Sequence, residues 1–196
     1  MKKPIALALT LVLAIFLAAC GSNLPDVKKS AEPGEVITFG QPDWIVLSVE
    51  GGKALLLSEK VLESKRFDSS SNDWETSEMR AYLNNAFYDA TFSTQEKGEI
   101  VETNIITGGK RTSDKIFLLS EEEVNEYMGN SAYVNVKSLR AARNLSGTSW
   151  RWWIRSPSSY GSDIARYVDF DGSIFFHHFL YVRTECGVRP ALWLNQ

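Results

Sequence analysis

Beyond residue 35 the chain reads as short apolar runs separated by polar turns, the pattern of brief strands rather than of long helices. Residues 36–39, 44–49 and 53–57 are such runs, and Glu50-Gly51-Gly52 joins the last two. Glycines there accept the positive φ of a tight hairpin turn. A polar stretch over 63–73 reads as a loop. Helical spacing then replaces alternation at Met79, Leu83 and Phe87, with Tyr82 and Ala86 widening the stripe and Thr76 or Ser77 placed to cap it. Ser93 and Glu96 are spaced as a capping box and open a shorter helix through Ile100 and Val101. Residues 115–119 predict a strand that runs into Ser120-Glu121-Glu122-Glu123, a second capping box whose helix ends near Tyr127. Residues 136–143 carry a fainter helical pattern.

The densest aromatic stretch is SWRWWIRSPSSY, residues 149–160. As a strand it puts Trp150, Trp152 and Ile154 on one side and Arg151, Trp153 and Arg155 on the other. The first face is expected to be core and the second a surface that mixes charge with aromatic area. Pro157 stops the run, and residues 156–162 have the composition of a loop carrying Tyr160. Residues 165–170 and 173–180 flank Asp171-Gly172, a strong hairpin signal, and residues 187–194 predict a last strand in which Pro190 marks an edge or a bend. Hairpins, then helices, then hairpins predict an α+β fold: a single domain of antiparallel hairpins with a few short helices over residues 36–196.

The first 35 residues follow different rules. Lys2 and Lys3 precede an apolar run over 5–19 broken by Thr10, which ends in Leu17-Ala18-Ala19-Cys20. The run falls short of the roughly 20 residues a spanning helix needs, so residues 1–19 read as an export signal. Leu-Ala-Ala-Cys resembles the lipobox of bacterial lipoproteins, which makes Cys20 the expected site of lipidation and the first mature residue. Residues 20–35 then form a lipidated cysteine and a flexible tether, holding the domain only about 20 Å from its anchor. Removing residues 1–19 takes away two lysines and no acid, so the formal charge moves from −3 to −5, and a nucleic-acid partner is not expected. With Cys20 acylated, Cys186 is the remaining thiol and no intramolecular disulfide can form.

The runs DWIVL, KALLLSEKVL, NDWETSEMRAYLNNAFYDATF, DKIFLLSEEEVNEY, WWIRSPSSYG, YVDFDGSI and GVRPALWLN occur in that order. Together they resemble a bacterial domain-of-unknown-function family whose members carry a WWLRSPG run and end in GVRPAL. The resemblance covers residues 36–196 and implies a surface or secreted protein of a Gram-positive bacterium. The end of the domain is more distantly similar to the C-type-lectin-like fold of the formylglycine-generating enzymes, with Val188 where that fold has an aromatic residue.

Formylglycine-generating enzymes work through paired cysteines and the related sulfoxide synthases through an iron site of several histidines. This chain offers Cys186 and the adjacent His177 and His178, which would point to opposite faces of a strand. No metal site or cofactor is therefore expected. Asp169-Phe170-Asp171-Gly172 lacks the further ligands of a calcium loop, and Gln41-Pro42-Asp43 lies far from the late loop in which sugar-binding lectins use that tripeptide. No serine sits in a G-x-S-x-G elbow, and Gly108-Gly109-Lys110 lacks the spacing of a phosphate loop.

The expected function is that of a non-catalytic binding module on a membrane-anchored, extracytoplasmic lipoprotein, taking a cell-envelope glycan or peptide. A divergent enzyme and a structural envelope module are the alternatives. Candidate ligand-binding residues are Arg151, Trp153, Arg155, Tyr160 and Arg189, whose aromatic faces and guanidinium forks suit sugar rings and carboxylates. For Arg155 and Arg189 the competing expectation is a buried role, bridging carboxylates or loop carbonyls. Should both faces of the tryptophan strand prove buried, the binding surface is expected in the 63–73 segment or beside Phe175 and Tyr181.

Overall fold

The computed structural model describes residues 31–129, 139–174 and 180–196. In chain order the strands are β1 (Val36–Thr38), β2 (Asp43–Glu50), β3 (Lys53–Ser58), β4 (Glu63–Arg66), β5 (Ile100–Val101), β6 (Thr103–Thr107), β7 (Lys110–Asp114), β8 (Trp152–Pro157), β9 (Ile164–Val168), β10 (Leu180–Tyr181), β11 (Glu185–Val188) and β12 (Ala191–Asn195). The α-helices are α1 (Glu78–Tyr82), α2 (Tyr88–Thr91), α3 (Thr94–Glu99) and α4 (Glu121–Gly129). A π-helical segment (Leu83–Phe87) joins α1 to α2.

Two five-stranded sheets carry the domain, in the orders β1-β2-β3-β12-β5 and β10-β9-β8-β11-β4, and β6-β7 forms a separate ribbon. Pairing is antiparallel except between β8 and β11, which meet in parallel at Trp152 and Gly187. The fold is α+β. The two sheets are joined covalently at Arg189-Pro190, where β11 leaves one sheet and β12 enters the other. Pro190 thus marks a bend, and the run over 187–194 is two strands rather than one.

Local chemistry accounts for the elements. Gly51 and Gly52 adopt φ of 56° and 75° and close the β2–β3 hairpin, and Gly108 and Gly109, at 59° and 79°, close β6–β7 in the same way. Ser93 and Glu96 form a reciprocal capping box at α3. At α4 the Glu123 N–H donates to Ser120 Oγ at 3.1 Å and the Ser120 N–H donates to Glu123 Oε2 at 2.9 Å. The Asp169–Ser173 turn closes a hairpin in which β9 pairs with β10.

Several expectations are corrected. Residues 115–119, of which 116–119 are buried, are not a strand, because only Phe117 bridges to Ala191 and the Leu118 carbonyl is claimed by a side chain described below. Residues 63–66 are not loop but β4, an edge strand that pairs with β11 through polar residues. Ile100 and Val101 leave α3 and become β5. Ala86 is exposed while Tyr88 is buried, because the π segment inserts an extra residue into the helical turn and rotates the later face. Residues 130–138, which hold the start of the fourth helical pattern, lie outside the described residues, as do Phe175, His177 and His178.

Candidate functional site

The tryptophan strand lies inside the protein on both faces. β8 is central in its sheet, flanked by β9 and β11. Trp152 is fully buried, its indole N–H donating to the Arg140 carbonyl at 2.9 Å. Trp153, expected on the surface, is equally buried. Its N–H donates to the Lys65 carbonyl at 2.9 Å and its ring meets Phe67 edge-on at 5.8 Å. Arg155 is 3% exposed, and each of its three nitrogens donates. Its terminal nitrogens grip the Glu123 carboxylate at 2.5 and 2.7 Å, Nη1 also donates to the Leu118 carbonyl at 2.6 Å, and Nε donates to Thr107 Oγ1 at 3.0 Å. Glu123, already holding the α4 cap, thereby ties that helix to the central strand.

The other three candidates are scattered. Arg189 is buried beside Trp152, 5.1 Å from its ring, and donates to the carbonyls of Ser58, Glu59 and Leu139. Burial pulls its pKa down to about 9, against the weaker pull of Glu59. Arg151 is half-buried, stacked 5.8 Å from the Tyr167 ring and 5.0 Å from Phe170. Tyr160 is 54% exposed. Its loop is stapled by the Asn72 amide, which donates to the carbonyls of Ser158, Gly161 and Ile164 at 2.8–3.2 Å. The expected platform of Arg151, Trp153 and Arg155 is therefore not a surface, because a strand covered on both sides buries its alternate residues too.

A different region offers a recess. Around the edge strand β4 lie three depressions that share lining residues. One of about 390 Å³ is lined by Gln41, Pro42, Leu62, Tyr82, Phe87 and Leu145. A second of about 370 Å³ shares Leu62 and Leu145 and adds Val61, Asn144 and Trp150. The third, of about 420 Å³, shares Ser64 with the second and Tyr82 with the first, and reaches Lys65, Arg66 and Glu78. Side by side they form a trough, and each recess alone is within the size range of ligand sites. Leu145, 68% exposed, stands in its wall.

Tyr82 is the hub. Its hydroxyl donates to Glu63 Oε1, and Lys65 Nζ sits 4.2 Å over its ring and 3.3 Å from the same carboxylate. Burial, reinforced by Glu63, pushes the phenol pKa well above its ordinary value, so Tyr82 stays protonated and remains a donor. Gln41 is held by donating to the Ala90 carbonyl at 2.9 Å. Met79 and Leu83 anchor the helical segment in the core, while Tyr82, just before the π turn, and Phe87, at its end, line the trough. Among the described residues no cluster of three or more His, Cys, Asp or Glu side chains is placed to hold a metal ion. Sequence periodicity flagged Tyr82 and Phe87 only as core, and β4 only as a polar stretch, so the trough had no sequence signal beyond the fallback to residues 63–73.

The architecture defines a two-sheet α+β domain, its sheets joined where β11 passes through Arg189-Pro190 into β12, with an edge-strand trough beside a π-distorted helix. The chain belongs to the family described as Domain of unknown function (DUF6273), whose model matches residues 51–196. Neither a curated protein nor a solved structure matches the chain. The matched span begins in the β2–β3 turn, yet β1 and β2 complete the same sheet.

Proposed function

We propose that the protein is an extracytoplasmic lipoprotein, anchored through a lipid on Cys20, whose domain binds a cell-envelope peptide or glycan in the β4 trough without chemical turnover. The observation that carries the binding reading is the π turn at Leu83–Phe87. Such a turn costs regular helical hydrogen bonding and is concentrated at functional sites, and here it abuts the recess lined by Tyr82 and Phe87. Apolar surface with a few fixed polar groups, as at Leu62, Leu145, Trp150 and the Tyr82 hydroxyl, is the ordinary make-up of a recognition site. The lipobox-like Leu17-Ala18-Ala19-Cys20 and the distant similarity to C-type-lectin-like domains support the same placement and class.

The test is a screen of the full-length chain, purified in detergent, against peptidoglycan fragments and envelope peptides. Leu145→Asp is expected to abolish binding of whichever fragment is retained while shifting stability by less than about 1 kcal/mol, since the side chain is exposed. Retained binding in Leu145→Asp removes the trough from consideration. The anchor is checked separately: Cys20→Ser should move the protein out of the membrane fraction or leave it unprocessed, and unchanged fractionation refutes lipidation.

A further inference from the structure

The trough leaves unused the most buried cation described above. Arg189 is 2% exposed, and its guanidinium carries five N–H donors. Nε donates to the Ser58 carbonyl at 2.9 Å, Nη1 to Leu139 at 2.6 Å and Nη2 to Glu59 at 3.2 Å. Among the described residues one N–H on each terminal nitrogen is left over. Among the described residues no carboxylate lies within ion-pair distance of Arg189; the exposed Glu59 acts on it only through space. Arg155, comparably buried, shows the usual arrangement, with a carboxylate gripped by both terminal nitrogens. A buried charge without a counter-charge is costly, and carbonyl dipoles offset only part of that cost.

Arg189 floors a depression of about 240 Å³. Two more cations, Lys60 and Arg143, line it and are exposed, Glu59 is the one acid among the described lining residues, and Val36 and Leu139 contribute apolar wall. Among the described residues this depression shares no lining residue with the trough, so the two recesses stand or fall independently. We infer that the depression is a binding site for a single carboxylate group, forked by the two remaining N–H groups of Arg189 and drawn in by Lys60 and Arg143. A planar carboxylate matches paired guanidinium donors, and one negative charge balances the one buried positive charge. The C-terminus of a peptide and the carboxylate of a sugar acid share this chemistry.

Titration of the full-length chain with N-acetyl-alanyl-alanine, its C-terminal amide and glucuronic acid, followed by calorimetry or amide chemical shifts, tests the site. At least one acid should bind, and the amide should bind at least about tenfold more weakly than the free peptide acid if the peptide is the better ligand. Preference between the two acids assigns the source. Arg143→Glu, at the exposed rim, should weaken the bound acid by about tenfold or more with the fold intact. Arg189→Lys keeps the charge but loses the fork and should weaken it further; if that variant does not fold, Arg143→Glu decides. Absence of binding by both acids, equal affinity for peptide acid and amide where the peptide acid is the tighter-binding of the two acids, tighter binding of inorganic phosphate than of either acid, or unchanged affinity in Arg143→Glu each overturns the inference.

Discussion

Replacing Trp153 with alanine tests whether the tryptophan strand is core on both faces. The indole is fully buried, packs edge-on against Phe67, and supplies the hydrogen bond to the Lys65 carbonyl on the edge strand. Truncating a large aromatic in a core costs about 3–5 kcal/mol through lost transfer free energy and the residual cavity. That is a large fraction of the roughly 5–15 kcal/mol that holds a domain together, and in a domain of this size it should lower Tm by about 6–20 °C. Trp153→Phe separates the two contributions: a ring remains beside Phe67, but the buried Lys65 carbonyl loses its donor, at about 1–3 kcal/mol. Tyr160→Ala, at an exposed ring, should cost less than about 1 kcal/mol. Urea titration of the three variants, read by far-UV circular dichroism, should therefore rank Trp153→Ala well below Trp153→Phe, and that below Tyr160→Ala. A Trp153→Ala midpoint within about 1 kcal/mol of the parent would refute the packing argument.

Further expectations follow from the charged groups. Glu123→Gln leaves the buried Arg155 guanidinium facing a neutral amide and weakens the α4 cap, so it should destabilise by about 2–3 kcal/mol in the same titration. At Asp68, burial raises the carboxyl pKa, but the N–H groups of Ser70, Ser71 and Glu78 outweigh it and hold the pKa below the ordinary value. A depressed folded-state pKa gives stability that is present above about pH 4 and lost as pH falls through the folded value; Asp68→Asn should flatten the acid limb of the stability curve there and leave its neutral plateau parallel. An unchanged acid slope in Asp68→Asn would show that those hydrogen bonds do not favour the ionised form.

What the sequence disclosed was chemistry that acts within a few residues. Gly51-Gly52 and Asp171-Gly172 announced their hairpins because the turn itself demands residues that tolerate its backbone. Ser93-Glu96 and Ser120-Glu123 announced helix starts because cap and partner are spaced three apart. Gly108-Gly109 carries the same hairpin signal for β6–β7, which makes that ribbon as legible as the other two hairpins.

The misreadings share one cause, that alternation says which residues share a face but not whether the face meets water. Arg151, Trp153 and Arg155 looked like a wet face because two of the three are charged. Arg155 is dry because a glutamate 32 residues earlier meets it, and a partner at that separation leaves no periodic trace. The opposite error occurred at residues 63–66, where polar side chains suggested a loop although backbone pairing with Glu185–Val188 makes a strand. An edge strand needs only its backbone on one side, so its side chains are free to be polar. That freedom lets Glu63 and Lys65 engage Tyr82, and it places the trough at the one sheet margin whose sequence least resembles a strand.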